Sequence, residues 1–124
     1  MARTHVLTVL LIEPEMPEGV SARKLVVETA KHNVISAYGG REGLQLYDRF
    51  PKVDAIIIHS EISDMRCEDV ARRVRAQDSK IPIVVLSPSG QTCSVRSVNE
   101  TLPSHEPKAL LDYFAEHFGV STKN

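Results

Sequence analysis

The chain has 124 residues, 42% of them hydrophobic and 25% charged, with a formal net charge of −1. That length supports one domain with its own core and not two, and the composition is that of a globular protein rather than a disordered or fibrous one. The near-neutral balance supplies no global field toward nucleic acid or an anionic membrane, and no apolar run approaches the roughly 18 residues of a spanning helix.

Strand-like and helix-like segments alternate along the chain. Val6 to Ile12 is an aliphatic, β-branched run and is expected to be the first strand. It ends at Glu13 without a small-residue cleavage site, so it is not read as a signal peptide. Glu13 to Gly19 is a loop punctuated by Pro14 and Pro17. A helix is expected from about Val20 to His32, with Leu25, Val26, Thr29 and Ala30 facing inward and Arg23, Lys24, Glu28 and Lys31 facing water. Asn33 to Tyr38 reads as a second strand. Gly39-Gly40 then turns into a helix over about Arg41–Arg49, with Leu44, Tyr47 and Phe50 spaced three apart.

Val53 to Met65 is the most informative stretch. An apolar run ends in His59, and an acidic turn with Glu61 and Asp64 follows. Such a run is expected to be a strand covered on both faces of a parallel sheet, and chemistry in open α/β sheets gathers at the carboxyl ends of the strands. The next helix spans about Arg66–Gln77, with Cys67, Val70, Ala71 and Val74 as its inner stripe. Ile81 to Ser87 is the fourth strand, with Pro82 at its start, where a missing N–H is tolerated. Pro88 to Glu100 is polar and suits a loop or a one-turn helix, and Thr101-Leu102 is a weak candidate for a fifth strand. Glu106-Pro107 reads as the cap and first residue of a last helix that carries Leu111, Phe114 and Phe118 and stops at Gly119. Residues 1–119 are thus expected to form the domain and 120–124 a polar tail. The alternation implies a doubly wound, flavodoxin-like parallel sheet of order 2-1-3-4-5 with a shortened or missing fourth helix. Cys67 and Cys93 make no disulfide framework; they are expected to be a packing residue and a loop thiol, and the cytoplasm is the expected compartment.

From about Val6 to Phe118 the pattern resembles the receiver domains of two-component response regulators (CheY-like). The resemblance is carried by Asp54 to Arg75, Ile81 to Ser87, the turn and helix from Tyr38 to Leu44, and Glu106 to Leu111. It implies phosphoryl transfer to an aspartate ending the third strand. Mg²⁺ would be held by that aspartate and an acidic pair after the first strand, assisted by a hydroxyl ending the fourth strand and a lysine after the fifth. Position by position, this chain departs from that set. The acceptor position is His59. The acidic pair is Glu13 followed by Pro14. Ser87 keeps the hydroxyl. The lysine position falls on Pro103, or on Ser104 with a slip of one. The resemblance therefore implies a degenerate pseudo-receiver, not phosphorylated on aspartate and not an enzyme, with Mg²⁺ binding weak or lost.

His59 as a phosphoacceptor lacks a partner for the developing charge, and the simpler expectation is that it hydrogen-bonds Glu13 or Ser87 and fills the pocket. Glu61 and Asp64 fit a solvated turn that starts the third helix. The histidines are scattered without metal-ligand spacing. The acidic, proline-bearing loop after Glu13 argues against a phosphate cradle. Arg72, Arg73, Arg75 and Lys80 read as a solvated basic face, with no nucleic acid implied. The implied partners are a histidine kinase, another receiver or an output domain, with a homodimer as a further option. The alternative is a small-ligand or metal sensor using the pocket of Glu13, His59 and Ser87.

Overall fold

The computed structural model describes residues 6–14, 21–88 and 97–119. Its elements are β1 (Thr8–Glu13), α1 (Ala22–Thr29), β2 (Asn33–Tyr38), α2 (Gly40–Arg49), β3 (Ala55–His59), α3 (Cys67–Gln77), β4 (Ile83–Ser87), β5 (Glu100–Pro103) and α4 (Lys108–Phe118). The five strands form one parallel sheet of order β2-β1-β3-β4-β5, as the alternation of the sequence implies.

Strand alternation divides the core in two. Leu10, Ile12, Ile56, Ile58 and Ile83 face α2 and α3, where they meet Tyr47, Val70, Ala71 and Val74. Val9, Leu11, Ala55, Ile57, Val84 and Leu86 face α1 and α4, where they meet Val27, Leu110 and Phe114. All residues of β3 and β4 are buried, which is why both strands read as continuous apolar runs rather than alternating ones. α2 lies close on the sheet: a Cβ at Gly43 would overlap Ile12.

The phase of α1 differs from the sequence expectation. Ser21 is the N-cap, its Oγ accepting from the Lys24 N–H at 3.1 Å. Val27 is the buried residue, while Leu25 is 54% exposed. Residues 23, 27 and 30 therefore share the inward stripe, and Arg23, expected on the wet face, turns into the protein with its side chain 14% exposed.

The start of α4 also differs. Pro107 is the N-cap with αR backbone, and no side chain caps the helix. Glu106 contributes its carbonyl, which accepts from the Ala109 N–H at 2.9 Å, rather than its carboxylate. Gly119 closes the helix in the left-handed region, at φ 67°.

β5 forms despite its weak pattern because it is an edge strand, paired only with β4, where Pro103 at its end needs no ladder N–H. Most of the expected loop or one-turn helix, residues 89–96, lies outside the described residues. Residues 97–99, which follow it, are not helical.

Cys67 packs against the α2–α3 side of the core and is disulfide-bonded, which corrects the expectation of two free thiols. The chain's only other cysteine, Cys93, lies outside the described residues.

Candidate functional site at the carboxyl edge of the sheet

β1, β3 and β4 end in polar residues that are nonetheless buried: Glu13 is 2% exposed, His59 5% and Ser87 2%. The parallel ladders set these ends side by side, with Ile12 opposite Ile58 and His59 opposite Leu86. Ser87 pairs with Pro103, and the next residue, Ser104, donates its N–H to the Ser87 carbonyl at 3.1 Å. The structure thus brings the sequence-derived residues Glu13, His59, Ser87 and Pro103 to one edge of one sheet.

Glu13 is occupied by α1. Its Oε2 accepts from the Ser21 hydroxyl at 3.0 Å and from Arg23 Nε in an ion pair. Arg23 Nη1 also donates to the Ser104 carbonyl at 3.3 Å. Ser21 thus caps α1 with one hydrogen bond and holds the Glu13 carboxylate with another. A guanidinium reaching from α1 joins the end of β1 to the turn after β5. Neither Ser21 nor Arg23 was among the residues expected at the site. The signal lay in the spacing of Arg23, Val27 and Ala30, which the competing Leu25-Val26-Thr29-Ala30 phase obscured.

His59 does not hydrogen-bond Glu13, whose Oε2 is engaged by Ser21 and Arg23; its Nδ1 accepts from the Glu61 N–H at 3.1 Å. The strand end folds back on itself, so the residue two positions on supplies the donor. Burial holds the His59 imidazole below its usual range, and the Arg23 guanidinium lowers it further. The carboxylates of Glu61 and Glu13 act in the opposite direction. His59 is therefore neutral at neutral pH, in the form in which Nδ1 carries a lone pair.

This has a consequence for stability. The unfolded chain takes up a proton at this position as pH falls through 6.5, whereas the folded chain resists until a lower pH. The contribution is complete above that value and is lost as pH falls from there toward the folded pKa. Urea unfolding should show His59→Asn, which keeps an acceptor for the Glu61 N–H, losing less stability than the native chain between about pH 7 and pH 5. Equal losses in the two chains would mean that His59 is not held neutral.

Asp64 does not start α3. Its two oxygens accept from the Gly40 N–H at 2.8 Å and the Arg41 N–H at 3.0 Å, so it caps α2 across the loop. These backbone donors, that of Arg41 foremost, hold its carboxyl below the ordinary range. Gly39, at φ 121°, makes the turn that presents these N–H groups.

Arg75 also leaves its expected place on the basic face. It turns inward to the carbonyls of Ile81 and Ser97, each at 2.7 Å. A groove of about 710 Å³ opens between α2 and α3, away from Glu13 and His59. Its lining balances three arginines (Arg41, Arg66, Arg73) against three aspartates (Asp48, Asp64, Asp69), so it offers no net charge to select an anion or a cation.

Among the described residues, no three His, Cys, Asp or Glu side chains come together as a metal site, and no helix is long and apolar enough to cross a membrane. The residues at the carboxyl edge fit magnesium poorly. A hard cation wants several oxygen ligands, whereas Glu13 already holds a guanidinium, position 14 is proline and the third strand ends in an imidazole.

No family model matches the chain, and no curated protein matches it. Solved structures do. The receiver domain of a sensor histidine kinase from Pseudomonas aeruginosa PAO1, solved with magnesium in its active-site cleft, superposes with a TM-score of 0.81 at 18% identity, covering 93% of this chain and 99% of that one. The non-phosphorylated HemR receiver domain from Leptospira biflexa gives 0.74 at 19% identity, covering 95% and 98%. The chemotaxis protein CheY4 of Vibrio cholerae gives 0.74 at 20% identity, covering 90% and 98%. At these identities the likeness establishes a CheY-like, flavodoxin-type fold.

Proposed function

We propose that this chain is a receiver-like signalling module of the two-component or phosphorelay type that has lost aspartyl phosphorylation and works by binding another protein. The observation that carries the reading is the content of the edge where receivers keep their acceptor. A buried, neutral His59 stands at the end of β3, beside a Glu13 carboxylate already paired with Arg23. Phosphoryl transfer proceeds by positioning and charge neutralisation around a carboxylate nucleophile; an imidazole whose Nδ1 is held by a backbone N–H offers neither. On this reading Glu13, His59, Ser87 and Pro103 are the remains of a phosphorylation pocket, and the module acts without catalysis.

The partner is a histidine kinase, another receiver, an output domain or a second copy of the chain, met in the cytoplasm. A small-ligand or metal sensor in the same pocket has less support, because the acidic group it would use is engaged within the protein. Incubation with acetyl phosphate and Mg²⁺ should leave the intact mass of the chain unchanged. An added phosphoryl mass that disappears in His59→Ala would overturn the proposal.

A further inference from the structure

We infer that Arg23 is the resident cation of the carboxyl-edge pocket. Its guanidinium sits on the Glu13 carboxylate where an external divalent cation would have to bind, and it closes that site to metal. The inference rests on the geometry of the pocket and not on the signalling role.

Three observations converge on it. Glu13 is 2% exposed at the end of a strand, and a carboxylate taken out of water requires a counter-charge. Arg23 supplies that charge from within the chain. It is brought there by the phase of α1, which puts residues 23, 27 and 30 on the inward stripe, and by Ser21, which binds the same oxygen of Glu13 at 3.0 Å while capping the helix. The guanidinium is also held on its far side, where Nη1 reaches the Ser104 carbonyl at 3.3 Å. Ser104 directly follows Pro103, the residue standing where the resemblance would require a lysine. One planar cation thus spans from the acidic end of β1 to the turn after β5, and lies close enough to bias His59 toward its neutral form.

A divalent ion entering this site would have to displace a cation that is covalently part of α1 and therefore present at high effective concentration. Arginine suits the task better than lysine because its rigid fork serves a carboxylate and a carbonyl at the same time. The arrangement also makes Arg23 a positioning residue for the β5–α4 turn, since its second hydrogen bond is to the backbone there.

The test uses the full chain and Mn²⁺ as the probe, followed by electron paramagnetic resonance and by thermal unfolding. The native chain should show no Glu13-dependent Mn²⁺ binding. Arg23→Ala should bind Mn²⁺ at least about ten-fold more tightly than the native chain, the equivalent of one favourable charge contact in affinity. That gain should vanish in Glu13→Gln/Arg23→Ala. Arg23→Lys, which keeps the charge, should exclude Mn²⁺ as the native chain does.

Should Arg23→Ala fail to fold, the charge balance remains testable. The double variant Glu13→Gln/Arg23→Ala removes both charges and should unfold at a higher temperature than Arg23→Ala, in which Glu13 is buried alone. Glu13-dependent Mn²⁺ binding by the native chain overturns the inference. So does an Arg23→Ala chain that folds but responds to Mn²⁺ no more than the native one, or a double variant no more stable than Arg23→Ala. None of these readouts involves phosphorylation, so they stand or fall separately from the acetyl phosphate experiment.

Discussion

Phe114→Ala should lower the stability of the chain by about 3–5 kcal/mol, the range for removing a fully buried aromatic ring. Phe114 is 0% exposed and is the principal anchor of α4 on the α1–α4 side of the sheet, among Val9, Leu11, Val27, Ile57 and Leu110. Its neighbours cannot readily close the space. His32 meets the ring edge-on, with centroids 5.7 Å apart and planes at 87°, and is itself fixed because its Nδ1 accepts from the Leu7 N–H at 3.1 Å. Phe118 lies on the other side at 6.1 Å. Truncation leaves a cavity and admits water to His32, which is 4% exposed in the native chain. Urea unfolding measures the loss, with Phe118→Ala, at a half-buried position, as the milder control. A cost below about 1 kcal/mol for Phe114→Ala would mean that α4 is not docked as described.

Arg75→Ala should cost about 2–4 kcal/mol, because it removes several charge-assisted hydrogen bonds and leaves their acceptors unpaired. Arg75 lies in the last turn of α3 and ties together two separate segments, the connection from α3 to β4 and the stretch just before β5. Nη1 donates to the Asp78 carbonyl at 3.2 Å and to the Ile81 carbonyl at 2.7 Å; Nη2 donates to the Ser97 carbonyl at 2.7 Å and to Asn99 Oδ1 at 2.8 Å. Asn99 extends the network by accepting from the Ile83 N–H at 2.8 Å and donating its own N–H to the Ile83 carbonyl at 2.8 Å. Asn99 thereby mimics one more step of the β4–β5 ladder just before β5 begins.

The loss in Arg75→Ala should be local in character. Amide exchange should accelerate across Asn99 to Leu102 before it does in β1. Arg75→Lys should not restore protection, since a single ammonium cannot span the four acceptors. An Arg75→Ala chain as stable as the native one, with unchanged exchange in β5, would remove Arg75 as the fastening of this edge.

Much of the fold was legible in the residues. β3 and β4 announce themselves as uninterrupted aliphatic runs because both of their faces are covered, and the sequence marks the observed ends of β2 with Asn33 and Gly39. The α3 stripe of Val70, Ala71 and Val74 is buried as its spacing implies. Misreadings arose where a local rule met a tertiary competitor. Leu25 is the largest apolar residue of α1 and drew the helix phase to itself, yet it is 54% exposed, because the sheet and α4 take up Val27 instead. Asp64 looks like part of a helix start, and it serves a different helix, brought near by the turn after β3. Arg75 belongs to a basic run in sequence, and only the return of the chain to β5 places carbonyls within its reach.

The candidate site divides along the same line. The sequence by itself determined that Glu13, His59 and Ser87 would end strands of a parallel sheet and that no carboxylate would stand at the end of β3, because the apolar runs stop at those residues; the resemblance, and not the weak Thr101-Leu102 pattern, pointed to Pro103 or Ser104 beside them. Only the tertiary structure decided that the remaining carboxylate is closed by Arg23, that His59 turns to the Glu61 N–H, and that Cys67 is disulfide-bonded. No motif announces these contacts, and the spacing of residues 23, 27 and 30 that turns Arg23 inward is obscured by the competing phase of Leu25. A buried charge takes whichever counter-charge the packing delivers, and here that depended on the rotation of one eight-residue helix, α1, about its own axis.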